Sequence, residues 1–286
     1  MKLYAISDLH VNHTPNGDAL EALPAHPEDW LIVGGDVGES EVVVIRALHL
    51  LTDRFAQVLW VPGNHELWAV SKDGGLRGVA RYDRFVSRCR DLGVLTPEDP
   101  YPLWPGAGPP TRIAPLFTLY DYSFAPEGIG PEDVGAWARE SGIVPVDDRL
   151  LLPDPYPSRV DWCHARVAWT ERRLSAVPAG ERLVLVNHWP LREDLVRLYR
   201  VPRYTPWCGT RLTEDWHRRF PVDVVIYGHL HMRATDWRDG VRFEEVALGY
   251  GRHWDHDRGV EGYLRQILPR PSMAPPGGWG GPVWDR

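Results

Sequence analysis

The chain has 286 residues, 43% of them hydrophobic and 25% charged, with a net charge of −7. A chain of this length can bury roughly three quarters of its unfolded surface and needs no staple, and the composition excludes a disordered chain. The acidic balance lacks the bulk basic footprint of a nucleic-acid binder, no apolar run approaches the ~20 residues of a membrane span, and the first residues have no signal-peptide layout.

In chain order, Leu3–Ser7 predicts a first strand that runs into Asp8-Leu9-His10. Trp30–Val33 leads into Gly34-Gly35-Asp36, and Gln57–Val61 into Pro62-Gly63-Asn64-His65-Glu66. Leu183–Val186 leads into Asn187-His188, and Val222–Tyr227 into Gly228-His229-Leu230-His231. Each run is short and rich in Val, Ile or Leu, which suits strands buried on both faces. Helical patterns fall between them at Glu41–Phe55, Leu76–Leu92, Val160–Ala176 and Thr213–Phe220, with Ser40 as a first cap and Gly93 as a stop. The alternation predicts an α/β fold with layered sheets and helices outside. Residues 96–157 are dense in Pro and Gly and read as an irregular cap insertion over the sheet edge, with one strand-like run at Leu116–Phe124. Thr235–Leu248 carries a hairpin signal at Asp239-Gly240, and residues 269–286 read as an extended or disordered Pro/Gly-rich tail beyond a domain of residues 1–268.

The strands end alike, in Asp, His or Asn, usually beside Gly. Sites in α/β sheets form beyond the carboxyl ends of strands, so these side chains are expected to converge in one crevice. They offer two carboxylates, an amide oxygen and several imidazoles, an O/N set suited to Mn, Fe or Zn rather than Ca or Mg. No thiolate joins it. Cys89, Cys163 and Cys208 are spaced for neither a disulfide framework nor a zinc ribbon, fit a reducing compartment and point to the cytoplasm. His13, His26, His49, His217, His253 and His256 belong to no motif and read as surface or core residues.

D-x-H, G-D-x, G-N-H-E, a strand-ending His and G-H-x-H, in this order, resemble the calcineurin-like metallophosphoesterase superfamily. The resemblance implies an α/β/β/α sandwich and two metal ions, manganese first and iron or zinc as alternatives. Carried over position by position, Asp8, His10, Asp36 and His231 would hold one ion. Asn64, His188, His229 and again Asp36 would hold the other. His65 would face the substrate as the acid that protonates the leaving group, with Asp36 or Glu66 to orient it, while a hydroxide activated by both metals attacks phosphorus. No ligand is replaced, which argues against a non-catalytic scaffold, and the nuclease reading lacks its basic stripes.

Further blocks, among them Trp60-Val61-Pro62-Gly63-Asn64-His65-Glu66-Leu67-Trp68, Leu119-Tyr120-Asp121-Tyr122-Ser123-Phe124, Trp162-Cys163-His164 and Trp207-Cys208-Gly209-Thr210, resemble a narrower family, the bacterial phosphopantetheinyl hydrolases. These remove 4′-phosphopantetheine from acyl or peptidyl carrier proteins. The alternative is a phosphomonoesterase or cyclic-nucleotide phosphodiesterase acting on a small molecule. Residues 192–219 hold seven arginines against four carboxylates, with Tyr204 and Trp207 among them. Such a patch suits an acidic partner. The expected substrate contacts are therefore Asn64, His65, Tyr120, Trp207, Arg197, Arg200 and Arg203, with the 96–157 segment forming a slot for the pantetheine arm.

Overall fold

The computed structural model describes residues 1–270. Its strands are β1 (Leu3–Ile6), β2 (His26–Val33), β3 (Phe55–Trp60), β4 (Thr111–Pro115), β5 (Arg182–Val186), β6 (Val222–Tyr227), β7 (Ala234–Arg238), β8 (Val241–Glu245) and β9 (Arg265–Leu268). They form two sheets, ordered β3-β2-β1-β9 and β4-β5-β6-β8-β7. β1, β2 and β3 are parallel, as are β4, β5, β6 and β8. β9 and β7 add antiparallel edges.

Alternation along the strands builds the layers. Leu3, Ala5, Ile32 and Leu59 of the first sheet meet Ile113, Val184, Val186, Val224 and Ile226 of the second in one buried core. The opposite residues, such as Leu31, Val33, Leu183, Leu185 and Val225, pack with helix residues including Val44, Leu48, Phe85 and Trp162. Each fully buried Val, Leu or Ile contributes about 1.5–3 kcal/mol relative to exposure. The result is the expected α/β/β/α sandwich. The sheets are stitched at the strand ends: Ser7 N–H donates to the Val246 carbonyl at 3.0 Å, and Leu248 N–H to Ser7 at 2.8 Å.

Helices Glu41–Thr52, Gly78–Asp91 and Arg159–Ser175 stand where the periodicity predicts, and the 234–245 hairpin turns at Asp239-Gly240. Two predictions differ. The Thr213–Phe220 helix shrinks to Trp216–Arg219, behind a 3₁₀ turn at Arg211–Thr213 that Thr210 caps through its side chain. The strand inside 96–157 is Thr111–Pro115, not Leu116–Phe124, so this stretch supplies an edge strand of the second sheet. Leu116, Phe117, Leu119 and Tyr120 are buried by packing on the helix side instead of by a ladder. A short apolar run does not distinguish the two. The tail expected from Pro269 lies, from residue 271 on, outside the described residues.

Candidate metal centre

The loops that follow β1, β2 and β6 turn sharply as they leave their sheets. Asp8, His10, Asp36, His229 and His231 have φ of 53°, 43°, 52°, 70° and 53°. Eight non-glycine residues among those described have positive φ, and these five are all predicted ligands. The left-handed region costs an ordinary side chain energy, so surrounding bonds must hold it. They do: Asp8 N–H donates to Gly35 at 2.9 Å and His10 N–H to Asp36 at 3.0 Å. Glu66, fully buried, accepts from the backbone N–H groups of Asp36 at 2.9 Å, Val37 at 2.6 Å and Gly63 at 2.8 Å. A Cβ on Gly63 would run into the Asp36 carboxylate, and one on Gly228 into Ser7 and Asp8. Only glycine allows those approaches.

The side chains converge. Asp8, His10 and His231 bring donor atoms within 4.8 Å of one another, and so do Asp36, His188 and His229. Between these groups, His10, Asp36 and His65 form a third. Asn64 Oδ1 lies 3.3 Å from His188 Nε2, while its Nδ2 donates to Asp147 at 3.0 Å. That donation turns the amide oxygen toward the imidazole. His188 Nδ1 lies 2.9 Å from the Gly34 carbonyl, which leaves Nε2 as the free lone pair. His229 Nε2 is buried and has no hydrogen-bond partner.

A family model for calcineurin-like phosphoesterases matches residues 1–233. The chain belongs to this family. It is 49% identical over 276 residues, 96% of its own length and 85% of the relative's, to the acyl-carrier-protein phosphodiesterase PptH of Mycobacterium tuberculosis. The crystal structure of phosphopantetheinyl hydrolase (PptH) from Mycobacterium tuberculosis matches with a TM-score of 0.90 at 48% identity, covering 96% of this chain and 98% of that one. Both resemblances read from the motifs are borne out. The chain is thus a phosphoester hydrolase of a family that uses two divalent metals.

The electrostatics of this phosphoesterase fit such ions. Burial holds the His10 and His229 imidazoles well below their usual range and lowers His188 to about 4. They are neutral, with lone pairs available. Burial, then Glu66 and Asp8, pushes the Asp36 carboxyl well above the usual carboxylate range. Burial opposes ionisation of Asp8 too, but His231 prevails and holds it low. Two carboxylates, an amide oxygen and neutral imidazoles, with Asp36 short of positive charge, are the donor set of a cation site.

The phosphoesterase also corrects several expectations. Glu66 locks backbone and does not face His65. Glu39 does, with Oε1 at 3.6 Å from His65 Nδ1, and the imidazole beside it holds its carboxyl below the usual range. Its place three residues after Asp36 was the available signal. His253, read as unassigned, lies with Nδ1 3.3 Å from His231 Nδ1. Tyr250 stacks on His10 at 4.4 Å between centroids. Tyr120 and Trp207 are fully buried in an aromatic cluster with Tyr122, because their rings complete the core. Neither lines the cleft beside His231. Arg197 is paired with Asp236, and Arg203 with Glu140 at 2.7 Å. Arg200 is exposed and pairs with no carboxylate among the described residues. The segment 96–157 reaches the centre through Asp147, whose carboxylate holds Asn64 and, at 2.7 Å, Trp68 Nε1.

Proposed function

We propose that this phosphoesterase hydrolyses the phosphodiester joining 4′-phosphopantetheine to a serine of a holo-carrier protein. Asp8, His10, Asp36 and His231 would hold one ion, and Asp36, Asn64, His188 and His229 the other, with manganese favoured by the resemblance and iron or zinc equally suited to the O/N set. When bound, two such ions neutralise phosphoryl oxygens and acidify water toward neutrality. Asp36, which groups with His188 and His229 and also with His10, would be shared by the two sites. His65 would give its proton to the leaving serine oxygen, a poor leaving group as an alkoxide, with Glu39 facing its Nδ1. Asn64 is oriented by Asp147 and Glu66 fixes the loop, so these side chains pay no reorganisation in the reaction. The three buried, unpaired cysteines support a reducing, cytoplasmic setting.

The observation that carries the chemistry is Asp36 grouped both with His188 and His229 and with His10, itself grouped with Asp8 and His231; the substrate rests on 49% identity to an acyl-carrier-protein phosphodiesterase. The test is to incubate manganese-loaded protein with a holo-carrier protein and follow its mass. Loss of phosphopantetheine with an unmodified serine is expected. Phosphoserine on the product would reverse the assignment of the leaving oxygen. Turnover of small phosphomonoesters with no cleavage of any holo-carrier would replace this substrate with a small molecule.

A further inference from the structure

A cleft of about 580 Å³ opens beside His231, between residues 197–201 on one wall and 252–255 on the other. The charges on its rim are unlike those behind it. In the stretch 192–219, Arg192 meets Asp194, Arg197 meets Asp236, Arg203 meets Glu140, Arg211 meets Glu193, Arg218 meets Asp239 and Arg219 meets Glu171. Arg200 is the exception. On the facing wall, Arg252 is exposed; it meets the His253 ring at 3.1 Å and lies over Tyr250, and no carboxylate of the described residues pairs with it. Asp255, which also lines the cleft, accepts the Asp257 N–H at 3.0 Å. Beside Arg200, Tyr199 is 82% exposed and Val201 38% exposed, with Tyr199 the most exposed large hydrophobic side chain described.

Two arginines that no carboxylate of the described residues neutralises and an uncovered tyrosine at one cleft fit a partner that is anionic and large. Arginine and tyrosine are the residue types that carry most energy in protein interfaces. A free small ester needs only the floor of the cleft, whereas a phosphodiester on a protein brings that protein's surface against the rim. We infer that Tyr199, Arg200 and Arg252 dock an acidic protein whose pendant phosphodiester enters the cleft toward His231. This rests on the carrier-protein reading and adds where the carrier sits. The attraction acts on encounter and weakens with salt.

The test uses the manganese-loaded protein, the R200E/R252E double variant and, as a charge-neutral second variant, Tyr199→Ala. The probes are an acidic holo-carrier protein, its apo form, and bis(p-nitrophenyl) phosphate. For the double variant, KM for the holo-carrier is expected to rise about tenfold or more, while KM for the small ester changes by less than about twofold. The apo-carrier, which lacks the scissile bond, is expected to inhibit hydrolysis of the small ester by the wild type. That inhibition weakens with salt and in all variants, at equal metal content. An equal change on both substrates would assign the arginines to the phosphate and overturn docking, as would no change on either. If the wild type is inhibited by the apo-carrier yet releases no phosphopantetheine, the substrate reading fails and the docking surface stands. If it releases phosphopantetheine and the variants match it, docking alone fails.

Discussion

The strand-end cluster and the arginine stretch 192–219 are both rich in ionisable side chains, and they treat charge in opposite ways. In the stretch, carboxylates from elsewhere in the chain cancel most of the arginines: Asp236 reaches Arg197 from 39 residues away and Glu140 reaches Arg203 from 63. In the cluster, burial keeps the His10, His188 and His229 imidazoles neutral and leaves Asp36 beside Asp8 and Glu66 with too little positive charge. One region, Arg200 apart, is neutralised by the chain itself; the other has the donor set of a cation site. A local charge count sees both as charged patches, and only pairing in space separates them.

The sharpest way to break this contrast is Asp36→Asn. Turnover should vanish and both ions should bind more weakly, as read by metal stoichiometry and calorimetric titration. One ion retained at full affinity would show that the two clusters are independent. Next, His65→Ala is expected to lower kcat by roughly 10²–10⁴-fold with metal content kept. The loss should be greater on alkyl than on p-nitrophenyl esters, and an equal loss would make His65 a phosphate-positioning residue. Asp147→Ala frees the Asn64 amide to turn, and the affinity for one of the two ions should fall about 10–100-fold, the range for partners that orient ligands. Unchanged titrations for both ions would remove that role. Glu66→Ala strands three backbone N–H groups, each worth about 1–3 kcal/mol. The melting temperature of the metal-free protein should drop, and an unchanged value would mean that the loop finds other acceptors. The smallest effect is expected in the neutralised region. Arg203→Gln removes a partly exposed pair with Glu140 and a stack on Trp137, at about 1 kcal/mol or less. A rise in KM for a carrier protein matching that of R200E/R252E would erase the distinction between paired and unpaired arginines.

The strands that carry the centre were legible because each couples a buried apolar run to a polar end, and the turn at Asp239-Gly240 because its residues suit the hairpin. β4 was not. Thr111–Pro115 lies behind Pro109-Pro110, and the more apolar Leu116–Phe124 drew the assignment although it makes no ladder. Among site residues, the motif residues could be read from order and type. Glu39 was one turn from a motif and was passed over. His253 and Asp147 had no local signal, since each acts on a residue far away in the chain. Tyr120 and Trp207 show the reverse error: an aromatic in a matching block is more often core than contact.

The order in which the ligands occur along the chain has a consequence for synthesis. Asp8 and His231, 3.0 Å apart, are separated by 223 residues, and β1 is flanked on one side by β9, at residues 265–268. A chain growing from its first residue therefore makes three of the four residues proposed for one ion and two of the four proposed for the other long before the rest. Contacts between such distant segments form late. A ribosome-bound fragment ending before His229 has no G-H-x-H loop with which to close either cluster, so the nascent protein passes through the cell's metal pool without a finished site. Hydrolytic competence is then tied to completion of the fold: a product truncated before residue 229, or released early, carries the opening motif but not the activity.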